Sequence, residues 1–178
     1  MTKTEMAELT RTANACLEKS TTGSAYQSLD TALRIFEYIL RFQQTQDPPV
    51  KAKELCHTYN KLRSTSQRLS RLNFDATQGM DHVVRAAEYG DYAIEFAKKS
   101  RHESRVAQMR FYRACVGAEE IRLRTADQRF EDPTELERRN AEEAVTEAFV
   151  TLQSIHGLEV GLYKPMMEQS LEQLRVCS

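Results

Sequence analysis

Glu54-Leu55-Cys56-His57 is the one short stretch whose side chains could do chemistry together. On a helix, E-x-x-H spacing places a carboxylate and an imidazole on one face, as in carboxylate-bridged metal pairs held inside helical bundles. Such a centre needs a second copy and two further acids. None of His82, His102 or His156 has a glutamate three positions before it, so we expect no metal and read His57 as a packing or surface residue. Cys56 or Cys115 could act as a thiol nucleophile only if the fold brought a distant base beside it. Both fall within inferred helices, where cysteine serves as a small apolar side chain. The phosphate-binding loop, the dinucleotide-binding glycine fingerprint and the HExxH zinc motif are all missing from the sequence. The expectation is a protein without catalysis or cofactor. A small all-α enzyme or ligand-binding bundle, its site assembled from distant residues, is the alternative.

The elements that would position any site are helical. The sequence lacks the sustained alternation of β-branched and polar residues that marks strands. Capping-box patterns, in which a Ser, Thr or Asp accepts from an amide while a Glu or Gln reaches back, recur at Thr2/Glu5, Ser24/Gln27, Asp75/Gln78, Ser100/Glu103 and Asp132/Glu135. Asp47-Pro48-Pro49 and Asp132-Pro133 add proline starts, since a first helical turn tolerates the missing N–H. These signals predict helices over residues 3–19, 24–45, 48–72, 76–99, 101–126, 133–155 and 163–176, with Pro165 either starting or kinking the last. Short connections imply antiparallel neighbours in a single all-α domain spanning residues 1–178.

Each helix has a face to bury. The second carries Tyr26, Leu29, Leu33, Phe36 and Leu40 at steps of three and four, widened by Ala25, Ala32 and Ile39. The third aligns Leu55, Tyr59, Leu62 and Leu69, interrupted by Ser66. The sixth uses Ala141, Ala144, Val145, Ala148, Leu152 and Ile155. In the fourth, Gly79, Val83, Ala86, Gly90, Ala93 and Ala97 form a small-residue stripe, so Gly90 is read as a close helix contact, not a turn; His82, Tyr89 and Phe96 form a second line. The fifth is apolar on two sides, with Val106, Met109, Tyr112, Val116 and Leu123 opposite Ala107, Phe111, Ala114, Ala118 and Ile121. It must be covered twice.

Leu55-Cys56-His57-Thr58-Tyr59 resembles the L-G-N-x-Y stretch of tetratricopeptide repeats, Tyr92-Ala93-Ile94 echoes the end of their second helix, and Ala107, Phe111 and Ala114 have repeat-like spacing. The family's repeat is about 34 residues, whereas the second, fourth and sixth helices here start some 50 residues apart. The resemblance is therefore one of architecture. It implies a right-handed array of about seven antiparallel helices whose alternate members line one surface. A compact up-and-down helical bundle is the other arrangement the pattern allows.

Twenty-five basic and 26 acidic residues nearly cancel, so no global field draws the chain to nucleic acid or to a membrane. Apolar runs are far too short to span a bilayer, and the first residues lack the apolar stretch of a secretory signal. Four scattered cysteines without a CxxC pair fit an intracellular chain, cytoplasmic or nuclear. Charge is segregated locally instead. Residues 51–71 carry six cations against Glu54, residues 98–113 six against Glu103, and residues 131–147 seven acids against Arg138 and Arg139. We single out Lys53, Lys61, Arg68 and Arg71 on the third helix and Arg110, Arg113 and Arg124 on the fifth. If those helices are neighbours, the stripes face one groove suited to an acidic peptide or protein partner. A nucleic-acid-binding subunit is a further alternative, opposed by the acidic sixth helix; pairing of that helix with a basic face of a second copy would give a homodimer.

Overall fold

A computed structural model of the chain describes residues 2–19, 25–72, 76–156 and 161–176. Among them it contains seven helices and no strand: α1 (Lys3–Lys19), α2 (Ala25–Gln44), α3 (Ala52–Leu72), α4 (Ala76–Lys99), α5 (Glu103–Ala126), α6 (Glu135–His156) and α7 (Lys164–Val176). The all-α class expected from the sequence is thus observed. No helix among the described residues is long and apolar enough to cross a membrane.

Local chemistry sets the ends. Thr2 and Glu5 form the expected reciprocal cap, with Glu5 N–H donating to Thr2 Oγ1 (3.2 Å) and Thr2 N–H to Glu5 Oε2 (2.6 Å). Ser24 and Asp75 lie outside the described residues. Two expected caps are corrected. Ser100 donates to the carbonyl of Ala97 (2.7 Å) and so closes α4, while α5 starts after His102 without a side-chain cap. The box at the start of α6 is Thr134/Glu137, two residues beyond Asp132. Pro48, Pro49 and Pro133 precede their helices, whereas Pro165 sits in the first turn of α7 and starts it.

Each helix packs against the next in sequence, and α5 also packs against α7. The small-residue stripe of α4 is buried throughout, from Gly79 to Ala97. A Cβ added to Gly90 would lie 3.0 Å from Arg113 Cδ and one on Gly79 3.3 Å from the Ser70 carbonyl, so both glycines are places of close approach. Helix α5 is covered on both sides as expected. Val116 and Leu123 pack with Val83 and Ala86 of α4; Phe111 packs with Leu152, Phe149 and Tyr163, and Ala118 and Ile121 with Val145 and Leu174. Tyr89 and Phe96 are packing residues: Phe96 stacks on Tyr59 at 5.5 Å and Tyr89 donates to Glu37 (3.1 Å). Three stripe residues are exposed instead of buried: Tyr26, Ala144 and Ile155. Ser66 does not break the face of α3, because it is itself fully buried.

Candidate partner-binding groove

Helix α3 and helix α5 touch, for the Arg63 guanidinium lies 4.4 Å from the centre of the Tyr112 ring. Their cations nevertheless do not share one surface. Arg68 donates to the Leu17 carbonyl (3.3 Å) and Arg71 pairs with the buried Glu119 (3.4 Å). Arg124 pairs with Glu137 of α6 (2.8 Å) and donates to the Glu131 carbonyl. Lys53 lines a separate cavity beneath α1, and Lys61 lies close enough to His57 for its charge to bear on the imidazole.

Arg110 and Arg113 point the other way, toward α4 and α6. Two depressions of about 420 and 430 Å³ adjoin along α5, with Arg110 and Thr151 lining both, and together make up the candidate furrow. Its apolar lining includes Ile94, Val106, Ala107, Ala114, Ala148 and Ile155. Its walls carry four cations, Lys98, Arg101, Arg110 and Arg113, against Glu103 and Glu147. Ala144 and Ile155, which the sequence pattern assigns to the core, face this furrow.

The way Arg113 is held ties the groove to the helix packing. Gly90 has no side chain, and the Arg113 stem runs across the space it leaves. The guanidinium then reaches Asp91, the next residue, at 3.1 Å. Both partners are partly exposed, so the pair fixes the direction of Arg113 more than it stabilises the fold.

Arg101 follows α4 with φ of 57°, the left-handed region, and its amide donates to the Lys98 carbonyl at 3.0 Å. Helices commonly end this way, but with glycine in the left-handed place. A residue with a Cβ costs roughly 1 kcal/mol more there. The chain carries an arginine at that position, at the mouth of the furrow. Lys98 and Arg101 belong to the cationic run of residues 98–113 but lie where α4 ends, off the helix-face stripes that the sequence pattern reveals.

Among the described residues no three His, Cys, Asp or Glu side chains converge to hold a metal ion. Cys56 and Cys115 are buried, and loss of water around each thiol raises its pKa, the reverse of what an activated nucleophile requires. Comparison with known proteins finds no matching protein family, no matching curated protein and no matching solved structure.

Proposed function

We propose that this chain is an intracellular interaction module, an adaptor or complex subunit, whose Arg110-centred groove binds an acidic segment of a protein partner. The observation that carries the reading is an apolar-lined furrow along which Lys98, Arg101 and Arg110 outnumber Glu103 and Glu147 even with Arg113 paired to Asp91. An occupant that alternates acidic and apolar residues meets both features, and complementary charge raises its rate of encounter and disfavours basic competitors. Arg101 adds support, since the local backbone favours glycine and the groove favours a cation.

In this reading the helices stack in the manner of tetratricopeptide repeats, with longer members. The pairing of Gly79 with Ser70 and of Gly90 with Arg113 supports consecutive helices that run antiparallel. Cys16, Cys56 and Cys115 as free thiols are consistent with a reducing compartment.

The test is fluorescence anisotropy with a labelled peptide of alternating Glu and Leu residues. Wild-type protein is expected to bind it in a salt-dependent way, and the triple variant Lys98→Glu, Arg101→Glu, Arg110→Glu about tenfold more weakly or worse. Equal binding by the two proteins defeats the proposal.

A further inference from the structure

A second cavity, of about 750 Å³, lies between α1, α2, the first two turns of α3 and the first turn of α5. It is well within the size range of small-molecule sites. Helix α2 presents Phe36, Ile39 and Gln43 to it, at steps of three and four, so one helix face runs from apolar to polar along the cavity. Met6 of α1 adds to the apolar lining. Lys51 and Lys53 stand across the α2–α3 connection from Gln43, and Arg105 joins them from α5. Among the described residues the only acid in the lining is Glu54. The polar end therefore carries a surplus of positive charge.

Gln43 is an independent feature of the same cavity. It is 7% exposed, and its Oε1 is buried with no donor among the described residues. Neighbouring hydroxyls cannot supply the proton. Thr10 donates to the Met6 carbonyl (2.8 Å) and Thr58 to the Glu54 carbonyl (3.2 Å), each within its own helix. An unpaired buried acceptor is costly, so a donor placed beside Gln43 Oε1 gains on binding. His57 at the rim adds little charge at neutral pH, because partial burial, then Lys61 and Arg105, lower its pKa.

We propose that this cavity binds a small amphipathic carboxylic acid with a hydrogen-bond donor near its carboxylate: the apolar tail lies over Phe36 and Ile39, the carboxylate meets Lys51, Lys53 and Arg105, and the donor serves Gln43. A β-hydroxy acid with a medium-length alkyl chain has this layout. The site is separate from the Arg110 groove and stands whether or not that groove binds a peptide.

Isothermal titration calorimetry with β-hydroxydecanoate, its methyl ester and decanoate tests the assignment. The acid is expected to bind at one saturable site, about tenfold or more tighter than the uncharged ester, as loss of a charge-assisted bond implies. Decanoate, lacking the hydroxyl, is expected to bind a few-fold more weakly than the hydroxy acid. The double variant Lys53→Glu, Arg105→Glu should lose about tenfold or more, whereas Arg110→Glu should bind as wild type does. Gln43→Leu should erase the preference for the hydroxy acid over decanoate while raising the thermal midpoint, because a merely structural glutamine would lower it. The comparison of acid with ester needs only the wild-type chain, so it decides the matter even if a variant fails to fold. Ester and acid binding alike, or no saturation by about 1 mM acid, which is weaker than a specific small-ligand site, overturns the proposal.

Discussion

The two ends of α5 carry similar numbers of charges and treat them in opposite ways. Toward the C-terminal end, Glu119 is fully buried and receives Arg71 (3.4 Å), Arg122 (2.7 Å) and the Gln173 amide (3.0 Å), while Arg124 is held by Glu137. There α3, α6 and α7 each bring a partner. Toward the N-terminal end, Arg105 and Arg110, with Arg101 just ahead of the helix, face two cavities in which cations outnumber acids. The same helix thus uses charge as internal fastening at one end and leaves it as surface potential at the other. A cationic run in a sequence does not say which of these it will become, because the counter-charges come from helices far along the chain.

Removing Glu119 is the most severe way to break the contrast. Glu119→Ala strands Arg71 and Arg122 and leaves a void, but both arginines are about a third exposed, so water screens part of the penalty. The expected loss is about 2 kcal/mol in urea denaturation, below the roughly 3–5 kcal/mol of a wholly buried pair. A change near zero would mean that the C-terminal end is no better fastened than the other. A smaller effect of opposite sign sharpens the contrast at the groove: Arg101→Gly relieves the left-handed backbone and should raise stability by up to about 1 kcal/mol, while weakening binding of the acidic peptide. Loss of stability on that substitution would show that the arginine is structural.

The smallest effect is one of pH. The Glu137 carboxyl is held down to about 2 by the Arg124 guanidinium and by the amide and hydroxyl of Thr134. Its pKa is lower folded than unfolded, so its contribution is complete above the ordinary carboxylate range and disappears as pH falls toward 2. Thermal melts of Glu137→Gln against wild type should therefore differ at pH 7 and converge in strong acid. A gap that persists unchanged to pH 2 refutes the linkage.

Much of the fold is legible in the sequence because its signals are local. Apolar residues at steps of three and four place the helices, and the stripe from Gly79 to Ala97 identifies the tight face of α4. Cap positions were displaced where two candidates compete: Thr134-x-x-Glu137 and Asp132-x-x-Glu135 have the same form, and only the built turn distinguishes them. The interior of α3 was not legible. Thr58, Arg63, Thr65, Ser66, Gln67 and Ser70 are all buried. A pattern of apolar residues misses them because several satisfy themselves within the helix, Thr65 bonding the Lys61 carbonyl (2.8 Å) and Arg63 the Gln67 amide (2.8 Å). Of the candidate site, the cationic run was readable and its division was not. That division depends on Asp91, Glu119 and Glu137, whose positions relative to the arginines are tertiary facts.

Helix α1 has a consequence for motion. Ala13 is its one fully buried residue among those described, and Met6, Leu9, Cys16 and Leu17 are only partly covered. Helix α1 packs chiefly on α2 alone, so its amides should exchange with solvent through openings that leave the other helices intact. Because Met6 and Thr10 form one wall of the cavity that contains Gln43, an occupant there would join α1 to α2 and α3. The opening rate of the first helix would then report, in hydrogen exchange, how full the cavity is.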